Sequence, residues 1–126
     1  MKLFLAFCVL FFVFTVMLAH AFKERDYQVA WCAGKGQTEV RLEDATRIDC
    51  LTDTHAIEFD FAKKWAEAIG QALHYGRMTG KTPGVVLIIE SDDDWKYWTR
   101  LNKVNTAYGL GIEVWTTGPA LITPQP

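Results

Sequence analysis

Asp49, Glu58 and Asp60 are the residues whose types and spacing best suit chemistry. They lie in two short runs, residues 46–51 and 56–61, that alternate apolar and polar side chains with period two, the pattern of half-buried strands. Alternation puts Arg47 and Asp49 on one face of the first run and Ile48 and Cys50 on the other. In the second run Glu58 and Asp60 share a face, opposite Ile57, Phe59 and Phe61. If the two strands pair, the carboxylates converge. Oxygen ligands that incompletely surround a hard cation, Mg2+ or Mn2+, leave water bound to it. Such a cation generates a hydroxide nucleophile and neutralises charge developing on a phosphate. A polar, solvent-facing side of a half-covered sheet would show the same alternation.

A helix is expected over residues 62–79, stopped by Gly80 and by Pro83 soon after. Trp65, Ala66, Ile69, Ala72, Leu73 and Gly76 make its apolar stripe. At about 100° per residue, Lys64, Gln71 and Tyr75 align on the opposite side. Beside an acidic cluster they would contact a phosphodiester and orient an attacking water. The alternative is a solvated face on which Glu67 supports Lys63 at i,i+4 spacing. Arg47, on the face of Asp49, is a further candidate for contact with substrate.

The remaining elements that must position these residues are a helix over 24–33 and strands over 39–42, 84–89 and 110–115. A last helix over 91–106 is opened by Ser91 with Asp94 three residues on. The run 84–89 is apolar throughout, as in a strand buried on both faces. The order is therefore α-β-β-β-α-β-α-β, an α/β domain with helices on both faces of a mixed central sheet. Asp92, Asp93 and Asp94 suit a helix N-terminus, where the dipole favours acids. Trp95, Trp98 and Leu101 recur at helical spacing and read as core. His55 and His74 have no partners at zinc-ligand spacing.

In this order the residues resemble the PD-(D/E)XK nuclease superfamily. Glu39, Leu42, Asp44, Arg47 and Asp49, followed by Glu58, are similar to the E-x-x-L-x-D-x-x-R-x-D…E run of its competence-protein-like branch. Gln71 and Tyr75 are similar to the Q-x-x-x-Y helix motif of RecB-type members. The resemblance spans about residues 24–90. It implies a restriction-endonuclease-like αβββαβ core with a C-terminal helix and strand added, and metal-dependent hydrolysis of nucleic acid. It makes Asp49 and Glu58 the metal-binding acids and puts Gln71 and Tyr75 beside the site; Asp60 would join the metal from the strand face it shares with Glu58. The family's Lys two residues after the third-strand acid is replaced by Asp60; Lys63 or Lys64 would then supply the ammonium from the helix start. The alternatives are an inactive nuclease-like binding module or a small disulfide-stapled accessory protein of the envelope.

Ahead of the domain, Lys2 precedes an apolar run over residues 3–18 that contains Cys8. Ala19, His20 and Ala21 follow in the small-x-small pattern of a signal-peptidase site. The expected organisation is a signal peptide over 1–21, a single domain over 22–126 outside the cytoplasm, and no stable membrane association after cleavage. A retained single-helix anchor is the alternative, the run being short for a span of about 20 residues. Cys32 and Cys50 remain, an even pair that an oxidising compartment would join, or else two free thiols. With 13 basic and 15 acidic residues the net charge is −2. The chain therefore lacks the broad basic footprint of non-specific nucleic-acid binding, and a nucleic-acid partner would have to be met locally.

Overall fold

The computed structural model describes residues 19–123; the apolar run over 3–18 and the tail residues 124–126 lie outside them. Helix α1 (Glu24–Cys32) leads into strands β1 (Gly36–Arg41), β2 (Arg47–Thr52) and β3 (His55–Phe61). A 3-10 turn (Ala62–Lys64) enters helix α2 (Trp65–Thr79), followed by β4 (Thr82–Ile88), helix α3 (Trp95–Tyr108) and β5 (Glu113–Thr117). The five strands form one mixed sheet in sequential order. β1, β2 and β3 run antiparallel, and β4 and β5 add parallel to β3. Parallel neighbours need crossovers, and α2 and α3 supply them. The α/β class and the element order match the expectation from sequence.

β4 shows why the sheet is covered on both sides. Val86 and Ile88 pack with Tyr27, Ile57 and Phe59 in the layer under α1. Val85 and Leu87 pack with Ala68, Ala72 and Leu101 under α2 and α3. A continuous apolar strand can satisfy both of its faces only in this way. Gly84 belongs to the same logic, since a Cβ there would meet Trp115 at 2.8 Å and Ile57 at 3.0 Å.

Several local expectations shift. β1 begins at Gly36 rather than at residue 39, because Gly36 pairs with Thr52. A Cβ at that position would lie 2.2 Å from the Leu51 carbonyl oxygen. β5 begins only at Glu113, since Gly109 and Gly111 adopt φ of 57° and 69° after α3. Asn105 holds that turn, accepting the Ile112 N–H at 3.1 Å and donating to the Ile112 carbonyl at 2.7 Å. Ser91 makes no side-chain cap; instead Asp94 Oδ2 accepts the Glu90 N–H at 2.8 Å. On α2 the buried residues are Ala68, Ala72, Tyr75 and Gly76, while Ala66 is exposed. The buried stripe thus lies nearer Tyr75 than the apolar residues alone indicated. Trp95 and Trp98 are surface residues, and only Leu101 of that triplet is core.

Cys32 at the end of α1 and Cys50 in β2 form a disulfide with Cα atoms 5.9 Å apart, within the ordinary range of about 4.4–6.8 Å. Both are fully buried beside Tyr27 and Phe59. Purified protein is expected to show no titratable thiol from this pair. The Cys32→Ser/Cys50→Ser double variant should lose about 3 kcal/mol in denaturant unfolding, the scale for closing a loop of this length. Equal midpoints would count against the staple.

Candidate metal centre

The site forms where two strands part. β2 and β3 are paired at Leu51–Ala56 and Cys50–Ile57. Beyond that rung β2 stays with β1 as far as Arg47, while β3 stays with β4 as far as Phe61. The buried N–H of Phe59 would lose its ladder partner here. Asp49 Oδ2 accepts it at 2.8 Å, so a side chain stands in for a backbone carbonyl. Regular alternation fails at the same place. Cys50 packs under α1, but Ile48, expected on the same face, packs with Ala56 and with Tyr75 of α2.

Three carboxylates meet in the gap. Glu24, Asp49 and Glu58 each present an oxygen, and these oxygens lie within 4.8 Å of one another. Glu24 comes from the first turn of α1, where Gln28 Nε2 donates to its Oε1 at 3.2 Å. Sequence reasoning missed both residues. No signal in the sequence marked them: Glu24 stands one turn before Gln28, and that Gln28 is buried with Tyr27 and Cys32 is seen only once α1 packs on the sheet. Asp60, also 5 % exposed, lies beside the three without joining them.

The electrostatics follow from packing acids into a gap that buries Glu58 and half-buries Glu24 and Asp49. Burial, then the charges of Asp49 and Asp60 and a hydrogen bond with Asp49, push the Glu58 carboxyl up to about 10. Burial pushes Asp60 up to about 7, with Glu24 adding and Lys64 opposing. Asp49 and Glu24 are raised as well, each chiefly by burial. Glu58 Oε2 is buried with no hydrogen-bond partner, and so is Gln28 Oε1.

Around this core the expected site residues divide. Lys64 lies near enough to lower both Glu24 and Asp60. Lys63 instead lines a hollow with His20, Glu90 and Ser91. Tyr75 is 6 % exposed, and burial with the charges of Glu58 and Asp49 raises its phenol to about 12. Gln71 is exposed, and its side chain makes no hydrogen bond among the described residues. Arg47 is exposed and faces Glu39 at 3.5 Å, which also pairs with Arg25 at 2.5 Å. His55 and His74 pair with Glu113 and Asp44, away from the acids.

No family model, curated protein or solved structure matches the chain. The donor set is all carboxylate, with one buried oxygen unpartnered, and it fits a hard divalent cation that accepts oxygen ligands. It offers no sulfur or imidazole for a softer metal.

Glu58 and Asp60 bind their protons more tightly folded than unfolded. Their contribution to stability is therefore full at acid pH and is lost as pH rises, from 3.8 to about 7 for Asp60 and from 4.5 to about 10 for Glu58. Cation-free protein should melt higher at about pH 5 than at about pH 8. Glu58→Gln should flatten that slope and raise Tm at the higher pH by about 5 °C, the shift that 1 kcal/mol brings in a domain of this size. Melting curves across pH decide it; a slope of opposite sign would show that the acids are charged and compensated.

Proposed function

We propose that this domain is a metal-dependent nuclease of the PD-(D/E)XK type, hydrolysing phosphodiesters of nucleic acid outside the cytoplasm. The observation that carries the reading is the buried, unpartnered Glu58 Oε2 within a cluster of three carboxylates at the β2–β3 parting. A protein rarely buries an acceptor without a partner, and a Mg2+ or Mn2+ ion would satisfy it. The element order, the mixed sheet and the position of the acids on the second and third strands support a restriction-endonuclease-like core. The Cys32–Cys50 bridge supports an oxidising compartment. Among the described residues no helix is long and apolar enough to cross a membrane.

Glu24, Asp49 and Glu58 would hold the cation, with Asp60 beside them. When bound, the cation supplies an activated water and neutralises phosphate charge. Lys64 is the cation this chain contributes, and in a site of acids its ammonium is suited to a phosphate oxygen. It fills the part that Asp60 cannot fill from the usual position on β3. Tyr75, raised to about 12, stays a neutral hydrogen-bond donor. Gln71 lies one turn before Tyr75 on α2, where its free amide can orient a substrate group. Arg47 at the rim suits a phosphate further along the strand.

Calorimetry with Mg2+ and Mn2+, and cleavage of single- and double-stranded DNA and RNA, test the reading on the whole chain. Asp49→Asn and Glu58→Gln should abolish cleavage and weaken cation binding while the fold persists. Isosteric changes are needed because Glu58 is buried, and Glu58→Ala would leave a void. Lys64→Ala should lower turnover by about 100-fold, the scale of a lost electrostatic contact in a transition state. Lys63→Ala should change little and Gln71→Ala should cost less than Lys64→Ala. Cation binding without cleavage of any substrate would instead identify a binding module, the reading that Asp60 in the family's Lys position favours. Absence of both would reject the metal centre.

A further inference from the structure

Among the described residues, the buried side-chain oxygens without a hydrogen-bond partner are Glu58 Oε2 and Gln28 Oε1. Glu58 is one of the three acids of the cluster. Gln28 is uncharged, yet it is 5 % exposed on a helix whose other buried residues are Tyr27 and Cys32. Leucine or methionine would fill a similar volume without burying an amide, and an unpartnered buried acceptor is costly. Glu24, Gln28 and Cys32 recur at i, i+4 and i+8, so they lie along one side of α1. Cys32 at one end of that line is bonded to Cys50. Glu24 at the other end meets Asp49, the neighbour of Cys50. Gln28 between them is therefore held over β2, facing the sheet.

The amide already touches the cluster, since Gln28 Nε2 donates to Glu24 Oε1 at 3.2 Å. A half-turn of the amide exchanges its nitrogen and oxygen and would set the carbonyl oxygen where the nitrogen now stands. Oxygens that bind one Ca2+ at about 2.3–2.6 Å lie about 2.8–3.6 Å from their neighbours in its shell. The 3.2 Å spacing from Glu24 is within that range. Without a cation the amide N–H meets part of the charge of Glu24. With a cation bound, the ion meets that charge and the carbonyl is free to turn toward it.

We infer that Gln28 is a fourth oxygen ligand of the cluster and that the ion it completes is Ca2+ in preference to Mg2+. Ca2+ accepts about 6–8 oxygens in flexible geometry, and Gln carbonyls are ordinary members of its shell. Mg2+ holds to a near-ideal octahedron, dehydrates reluctantly and is commonly bound by one or two carboxylates with several waters. Three carboxylates and an amide, brought together from α1, β2 and β3, are the pattern of the larger ion. About two or more positions of its shell are then left for water and a phosphate oxygen. This role rests on the metal centre at the β2–β3 parting and names its ion. A buried water is the other group that would satisfy Gln28 Oε1, and it would leave the choice of ion untouched.

The test uses the whole chain, with Ca2+, Mg2+ and Mn2+ in calorimetry and Tb3+ as a luminescent ion of Ca2+ size. Ca2+ should bind more tightly than Mg2+ by about 10-fold or more, and Gln28→Met should remove most of that preference while altering Mg2+ affinity little. Lifetimes of Tb3+ emission in light and heavy water count the waters on the ion. Gln28→Met should add one, and Gln28→Glu, which keeps an oxygen at that position, should restore the original number. A cation-free melting transition in each variant checks that it folds. A role in packing alone would move neither the water count nor the ratio of affinities. Wild-type protein that binds Mg2+ as tightly as Ca2+, or Tb3+ hydration unchanged by Gln28→Met, would overturn the assignment and leave the three-carboxylate centre standing. Failure of every ion to bind wild-type protein would overturn both.

Discussion

The hydrogen bond from the Phe59 N–H to the Asp49 carboxylate joins two strands that have ceased to pair. Everything about the site depends on that substitution of a side chain for a backbone acceptor. Continued pairing would bring Asp49 and Glu58 side by side on one closed sheet face. With the strands parted, a wedge opens that α1 reaches from one layer with Glu24, and that Tyr75 of α2 approaches from the other. The parting is tolerable because β2 keeps β1 and β3 keeps β4 as neighbours, so few backbone groups are left without partners.

The wedge then sets an electrostatic condition. Carboxylate oxygens held within 4.8 Å of one another in a largely buried gap cannot all remain charged without compensation. The folded chain meets this by retaining protons, Glu58 most of all. A cation would meet it with charge instead, which couples cation binding to proton release. Lys64 offsets part of the charge at the edge near Asp60 but leaves Glu58 Oε2 unpartnered. The disulfide contributes mechanically: through the far end of α1 it ties the helix that carries Glu24 to the strand that carries Asp49, which limits how far α1 can move from the sheet.

Much of this was legible in the chain. Period-two alternation located β2 and β3 to within a residue at either end, and it put forward Asp49, Glu58 and Asp60, of which Asp49 and Glu58 meet with Glu24. Gly80, at φ 70°, ended α2 where expected, and the apolar run over 84–89 was a strand buried on both faces. These readings succeed because local period and local breakers are properties of neighbouring residues. The Cys32–Cys50 pair was legible for a different reason, since no other described cysteine competes for either partner.

The arrangement of the acids was decided by tertiary structure. Glu24 joins Asp49 and Glu58 only because α1 packs across the sheet, and no spacing along the chain encodes a contact between residues 24 and 58. Tyr75 turned inward, and Ile48 left the side of Cys50, because the β2–β3 ladder stops after two rungs, which depends on the competition between neighbouring strands. Lys64 and Lys63 are adjacent in sequence, and the 3-10 turn between β3 and α2 sends one toward the acids and the other toward Glu90. Trp95 and Trp98 share the helical spacing of Leu101 yet lie on the surface, because α3 offers only one side to the sheet. Sequence period determines which residues share a face; which face is covered, and by what, is determined by packing between elements far apart in the chain.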